Sequence, residues 1–151
     1  MTEFLPEVPA DGDSQVQRDA ETEAVALLSA RVGVPLIPTR VLLADGSRVE
    51  IDAANLGEQV IAEIWAHQGS PKPAQRNKVL TDALKLVYVE AERGGRWRKI
   101  LCFTDEQARA PFARTSWYAG ALRHYGVELE VIELPAQTRV AIREAQKRQY
   151  R

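Results

Sequence analysis

Two short apolar runs of the sequence each contain a carboxylate where an apolar side chain is expected. They are residues 49–52 (Val-Glu-Ile-Asp) and residues 60–65 (Val-Ile-Ala-Glu-Ile-Trp). A charged group buried in a sheet is costly unless it faces a base, a metal ion or water. A turn around residues 55–57 separates the two runs, which predicts adjacent antiparallel strands. Because ten residues lie between Asp52 and Glu63, the two acids can be opposed across these strands.

The alternation of side chains along a strand predicts the face on which each acid lies. Residues two positions apart share a face. Glu50 and Asp52 should therefore lie on one face of the first strand, with Ile51 on the other. On the next strand, Glu63 and Trp65 should share a face. Two carboxylates on neighbouring strands form a simple arrangement for holding a hard cation such as Mg²⁺.

Three strands are predicted before the first long helix that follows them. Asp45-Gly46 lies between two strand-like runs, and this dipeptide is the strongest short signal for a hairpin. The later part of the sequence alternates helical and strand-like patterns. The predicted order is αβββαβαβα, with later helices over residues 74–93, 116–125 and 136–149 and later strands over residues 100–103 and 127–134. The expected fold is a single-domain α/β structure with a mixed sheet of about five strands, flanked by helices.

The N-terminal part of the chain is much more acidic than the rest. The first 24 residues contain seven acids and one base, although the net charge of the whole chain is only −1. This part also contains Pro6 and Pro9, which disfavour a helix interior. The composition predicts a disordered acidic leader over residues 1–18, followed by a folded domain over residues 19–151.

The overall composition is typical of a globular domain, with 45% hydrophobic and 27% charged residues. No segment reaches the roughly 20 apolar residues of a transmembrane helix, and the N-terminus lacks the basic and apolar regions of a signal peptide. Cys102 is the only cysteine, so the chain cannot form an internal disulfide. These features predict a cytoplasmic protein in which Cys102 is buried and unreactive.

Four polar residues of the helix over residues 74–93 lie along one edge of that helix. Gln75, Lys78, Asp82 and Lys85 follow steps of three and four residues. One interpretation is a solvated row of ion pairs, each worth a few tenths of a kcal/mol. The other is that the row places two amines and an amide beside the carboxylate-bearing strands. The sequence leaves both interpretations open.

The element order and the two acidic strands together resemble the PD-(D/E)XK nuclease superfamily, also called the restriction-endonuclease-like fold. The resemblance extends over roughly residues 20–134 and implies that Asp52 and Glu63 bind Mg²⁺ or Mn²⁺. The lysine of the superfamily would fall at position 65, which is Trp65 in this chain. In some members that lysine lies on the following helix. Lys78 is therefore the expected substitute, with two further candidates, Lys72 and Lys85.

The resemblance also implies supporting residues around the two acids. Gln75 looks like the helix glutamine found in the branch that includes recombination nucleases, and Glu23 would match an additional acid of that branch, as a third metal ligand. His67 follows the second acidic strand and can bind a metal or transfer a proton near neutral pH. A lone histidine at a strand end is, however, more often a structural hydrogen-bonding residue.

Three functional hypotheses follow from the sequence. The first is a metal-dependent nuclease that hydrolyses DNA phosphodiester bonds, with Lys78 assisting the attacking water. The second is an inactive nuclease-fold module that binds nucleic acid or a partner protein, which Trp65 favours. The third is an unrelated α/β domain, in which Asp52 caps a turn and Glu63 pairs with a base. DNA is the expected partner, and a homodimer is compatible with the sequence.

Overall fold

The sheet combines an antiparallel meander with two parallel strands. The computed structural model describes residues 11–149, and side chains from residue 14 onward. The first three strands pair antiparallel, whereas the last two continue the sheet in parallel. In the spatial order of the sheet, the strands are β1 (Ile37–Leu42), β2 (Arg48–Asn55), β3 (Val60–Trp65), β4 (Arg98–Phe103) and β5 (Val127–Val131).

Five helices flank or connect these strands. They are α1 (Asp11–Val32), α2 (Pro73–Arg93), α3 (Glu106–Ala113), α4 (Trp117–His124) and α5 (Ala136–Gln149). α2 connects β3 to β4, and the short helices α3 and α4 connect β4 to β5. The predicted fold class, a mixed five-stranded sheet flanked by helices, is confirmed. Among the described residues, no helix has the length and hydropathy that crossing a bilayer requires.

Two hydrophobic cores cover the two faces of the sheet. The first packs α2, α3 and α4 against one face, and the second packs α1 and α5 against the other. Strand β4 contributes to both cores, because Leu101 and Phe103 belong to the first while Ile100 and Cys102 belong to the second. Strand β4 is therefore buried on both faces.

The first helix begins earlier than the sequence predicts. α1 starts at Asp11, so the predicted disordered leader is wrong over residues 11–18, while residues 1–10 lie outside the described part of the chain. Two local contacts support this first part of the helix: Gln15 donates a hydrogen bond of 2.6 Å to Asp19, and Arg18 donates one of 3.0 Å to Gln15. Side-chain pairs at these spacings stabilise a helix.

Strand β2 contains an irregularity next to Asp52. Ile37 pairs with Ala54 and Thr39 pairs with Ile51, so β2 accommodates one more residue than β1 over this stretch. Ile51 and Ala54 both belong to the core on the α2 side, whereas Ala53 belongs to the other core. The predicted strict alternation along β2 is therefore wrong at this point. An extra residue of this kind re-aims neighbouring side chains, which is why bulges are common beside functional sites.

Candidate functional site

Asp52 and Glu63 lie together across strands β2 and β3. Each carboxylate accepts a hydrogen bond from the backbone of the opposite strand: Asp52 N donates to Glu63 Oε2 at 3.0 Å, and Ile64 N donates to Asp52 Oδ2 at 2.8 Å. The adjoining pairs Ala53–Ala62 and Ala54–Ile61 fix this register. These bonds use one oxygen of each carboxylate, so the other oxygen is not needed to satisfy the backbone.

The amine next to this acid pair belongs to Lys85 of α2. Its Nζ forms an ion pair with Glu63 Oε1 and donates a hydrogen bond of 2.9 Å to the backbone carbonyl of Glu50. It also lies 3.6 Å from Asp82 Oδ1. Glu63 is only 2% exposed, so its ion pair with Lys85 is shielded from water and weakly screened. Lys85, and not the expected Lys78, is therefore the lysine that contacts the acid pair.

The electrostatics of Glu63 differ from those of an ordinary glutamate. Burial, together with the neighbouring Asp52 carboxylate, raises the pKa of Glu63 to about 8, although Lys85 acts in the opposite direction. The pKa of Lys85 is raised because the attraction of Glu63 outweighs its own burial. A buried carboxylate beside a second carboxylate resists ionisation, so the site favours an additional positive charge.

A cleft of about 390 Å³ opens over Asp52 at the carboxyl end of β3. Its walls come from the first half of α1, from the end of β3 and from one edge of α2. Three acids line it among the described residues, namely Glu21, Asp52 and Asp82, and so do three bases, Arg18, Lys78 and Lys85. The cleft thus carries charges of both signs; Asp52 of the acid pair lines it, whereas Glu63 is not one of the described residues around it.

Trp65 and His67 form the inner end of this cleft. Trp65 is 8% exposed, and its ring lies 4.3 Å from the imidazole of His67, centroid to centroid. Burial lowers the pKa of His67, so its imidazole is neutral at pH 7. Trp65 Nε1 and His67 Nδ1 are both buried and lack a hydrogen-bond partner among the described residues. Trp65 therefore packs as a core residue, as expected, and also borders the site.

The predicted row on α2 is only partly solvated. Asp82 is 7% exposed and lies between two lysines, with Lys78 Nζ at 3.2 Å from its Oδ1. Lys78 is itself mostly exposed at the rim of the cleft. Gln75 lies at the start of the helix, where its side chain accepts a hydrogen bond of 2.8 Å from the backbone of Lys72. Neither Gln75 nor Lys72 is among the described residues that line the cleft.

The acid that α1 contributes to the cleft is Glu21 rather than the predicted Glu23. Thr138 of α5 donates a hydrogen bond of 3.0 Å to Glu23, which is not one of the described residues around the cleft. Burial and the proximity of Asp52 raise the pKa of Glu21. The two glutamates are two positions apart, so they lie on different sides of the helix. The sequence carried no signal that distinguished them, because the position of α1 over the sheet was unknown.

The donor set around Asp52 suits magnesium better than other common metals. A structural zinc site requires a group of several His, Cys, Asp or Glu ligands. No group of three or more such residues is placed to hold a metal within the described residues. Magnesium, in contrast, is commonly held by one or two carboxylates and keeps several water ligands. Asp52 has a second oxygen beyond its backbone bond, whereas the second oxygen of Glu63 is paired with Lys85, so an ion held by both acids would replace that pairing.

Other reactive, basic or aromatic groups of the chain lie outside this cleft. Cys102 is fully buried, and burial raises the pKa of its thiol to about 12, as expected for an unreactive cysteine. At the start of β4, Lys99 is buried against Glu90, and Arg98 pairs with Glu128. Trp117 is 78% exposed on α4.

The chain matches no protein-family model, no curated protein and no solved structure.

Proposed function

We propose that this protein is a metal-dependent nuclease that hydrolyses DNA phosphodiester bonds, as a divergent member of the PD-(D/E)XK superfamily. The observation that carries the proposal is the joint placement of Asp52 and Glu63 on adjacent strands with the Lys85 amine beside them. The mixed five-stranded sheet, whose element order matches the prediction except for a second helix between β4 and β5, and the raised pKa of the buried Glu63 support it. The single cysteine, which allows no internal disulfide, agrees with a cytoplasmic location.

In this proposal Asp52 holds Mg²⁺ or Mn²⁺ through the oxygen that its backbone bond leaves available, and Glu63 joins it through Oε1 when the ion replaces the pairing of that oxygen with Lys85. The bound ion would supply a nucleophilic water and neutralise charge on the phosphate. Lys85 stands next to Glu63, where its ammonium stabilises the negative charge that develops during attack. His67 is neutral and buried, so it is suited to hold a water by hydrogen bonding rather than to carry charge.

The charges around the cleft also support a role for a divalent ion. Glu21, Asp52 and Asp82 offset the three bases that line the cleft, so without a metal the cleft has no surplus of positive charge to attract a polyanion. Adding two positive charges between the carboxylates reverses that balance. We therefore expect DNA to bind weakly without a divalent ion and more tightly with Ca²⁺, which occupies oxygen sites and often does not support cleavage.

The direct test is cleavage of linear single-stranded and duplex DNA in Mg²⁺ or Mn²⁺. The wild-type protein should cut at least one of the two, and the Glu63→Gln and Lys85→Met variants should lose at least about 100-fold in rate. Lys147→Met is the matched control, because Lys147 is an exposed lysine of α5, paired only with Glu144 among the described contacts. Failure of the wild-type protein to cut either DNA with any divalent ion would contradict the proposal.

A second candidate function is a nuclease-fold module that binds nucleic acid or a partner protein without hydrolysing it. Two observations favour it: Trp65 occupies the position where the superfamily carries its lysine, and Lys85 already neutralises Glu63 in the absence of metal. The two functions differ in one measurable respect. The binding module predicts that Asp52→Asn and Glu63→Gln leave DNA or partner binding intact, whereas the nuclease predicts that both remove metal-dependent cleavage.

A further inference from the structure

The cleft over Asp52 continues into a second cavity on the other side of that residue. The second cavity has a volume of about 350 Å³ and runs between α1 and strands β1 and β2. Arg18, Glu21 and Asp52 line both cavities, so the two meet at Asp52. Together they form one groove, which we call the two-lobed groove, with Asp52 at its centre.

The two lobes have different chemistry. The first lobe carries the lysines of α2, Lys78 and Lys85, with Asp82 between them and the apolar end of β3 beside them. The second lobe has apolar walls from Val25, Pro38 and Ile51, with Thr22 at its edge, and its own charged residue is Glu50. A cationic wall suits a phosphate, and an apolar wall suits the face of a base. The groove therefore offers both kinds of contact that a nucleotide chain requires.

The size of the groove limits what can reach the acid pair. Each lobe is near the lower end of the roughly 300–1,000 Å³ that small-molecule sites occupy, which is enough for a group of about one nucleotide. Glu63 is 2% exposed, so a phosphate must enter the groove to approach it. Helix α1 forms a wall along both lobes. A lobe with room for about one nucleotide does not admit a base pair.

We infer that the two-lobed groove takes a single nucleic-acid strand in preference to a duplex, with one nucleotide on each side of Asp52. The inference rests on the proposed function for the position of the reacting phosphate, but it concerns the form of the substrate. Arg18 lies where the lobes meet and would contact the backbone of the strand. The unpaired bases would lie against the apolar wall of the second lobe.

Binding of fluorescein-labelled single-stranded and duplex oligonucleotides of one sequence, measured by anisotropy in Ca²⁺, tests the inference. The single strand should bind at least about tenfold more tightly than the duplex. Thr22→Trp fills the second lobe from an exposed helix position, so it should weaken single-strand binding about tenfold. Ala30→Trp is the matched control, since Ala30 is also an exposed residue of α1 but lines neither lobe.

The Arg18→Glu variant gives an independent check that does not depend on filling a cavity. Reversing the charge shared by both lobes should also weaken single-strand binding about tenfold. A duplex bound as tightly as the single strand would overturn the inference, and would leave the nuclease proposal standing if cleavage occurs. Failure of both DNAs to bind would also overturn it. Preferential single-strand binding without cleavage in any divalent ion would support the inference while contradicting the proposed hydrolysis.

Discussion

Two buried carboxylate–lysine pairs connect α2 to the sheet, and they differ in their surroundings. Lys85 of α2 pairs with Glu63 of β3, and near the other end of the helix Glu90 pairs with Lys99 of β4 at 2.6 Å. Lys99 is 4% exposed, so both pairs include a deeply buried charge. Both pairs are therefore buried, and both join a glutamate to a lysine. Only the Glu63–Lys85 pair contributes a residue, Lys85, to the cleft over Asp52.

The Glu90 pair is internally balanced. Burial opposes the ionisation of Glu90, but hydrogen bonds from Lys99 and from the backbone of Trp97, at 2.9 Å, hold its pKa below the usual range. At the Glu63 pair, burial and the neighbouring Asp52 carboxylate raise the pKa of Glu63 to about 8, and Lys85 only partly opposes this. The comparison indicates that Glu90 is satisfied as a carboxylate by its own partners, whereas Glu63 is not.

The largest expected difference between the pairs is in catalysis. Lys85→Met should lower the rate of DNA cleavage about 100- to 1,000-fold, the usual effect of removing one group that stabilises transition-state charge. Lys99→Met should leave the cleavage rate per folded molecule unchanged, because Lys99 lies outside the cleft. Single-turnover rates of both variants provide the measurement. Equal losses in the two variants would remove the distinction between the pairs.

Stability should show the opposite order. Glu90→Gln leaves the buried Lys99 without its countercharge, so the free energy of unfolding should fall by about 3 kcal/mol. Glu63→Gln should cost less than about 1 kcal/mol at pH 8, because it removes a carboxylate that resists ionisation and leaves Lys85 near Asp82. Urea unfolding of the two variants beside wild type measures both values. A larger loss in Glu63→Gln would indicate a purely structural pair.

The pH dependence of stability follows from the raised pKa of Glu63. The folded protein holds the Glu63 proton up to about pH 8, whereas the unfolded chain releases it near the ordinary value of 4.5. This contribution to stability is complete below pH 4.5 and is lost as the pH rises to about 8. Between pH 6 and pH 7 the loss should approach about 1.4 kcal/mol. Urea unfolding should show this slope in wild type, and a flat dependence in Glu63→Gln would assign it to Glu63.

The smallest expected effect concerns the lysine that the sequence favoured. Lys78 is mostly exposed and pairs with Asp82 rather than with Glu63. Lys78→Met should change the free energy of unfolding by less than about 0.5 kcal/mol, and the cleavage rate by less than about tenfold. A loss as large as that of Lys85→Met would show that the position of the amine along α2 does not decide its role.

The sequence predicted the fold well because strand and helix patterns depend mainly on local alternation. The hairpin at Asp45-Gly46 and the fully apolar strand around Cys102 both proved to be where their patterns placed them. The sequence also named Asp52 and Glu63, since a carboxylate in an apolar run is a local anomaly. The start of α1 was missed because the acidic residues there outweighed the helical signal.

The parts of the site that the sequence did not predict depend on how elements pack. Whether Lys78 or Lys85 reaches Glu63 depends on where α2 lies along the sheet, because the two lysines are two turns apart on the same side of the helix. The choice of Glu21 over Glu23 depends on the rotation of α1. The irregularity beside Asp52 changes the side-chain alternation along β2. None of these three features follows from the alternation of apolar and polar residues along the sequence alone.

The central claim is that Asp52 and Glu63 jointly hold a divalent ion, and titration calorimetry with Mn²⁺ at pH 8 tests it most directly. The wild-type protein should bind one ion per chain, and the Asp52→Asn/Glu63→Gln double variant should bind none while remaining folded. The Glu90→Gln variant, measured under conditions where it is folded, should bind the ion as wild type does. Binding that survives in the double variant, or no binding in wild type, would contradict the account.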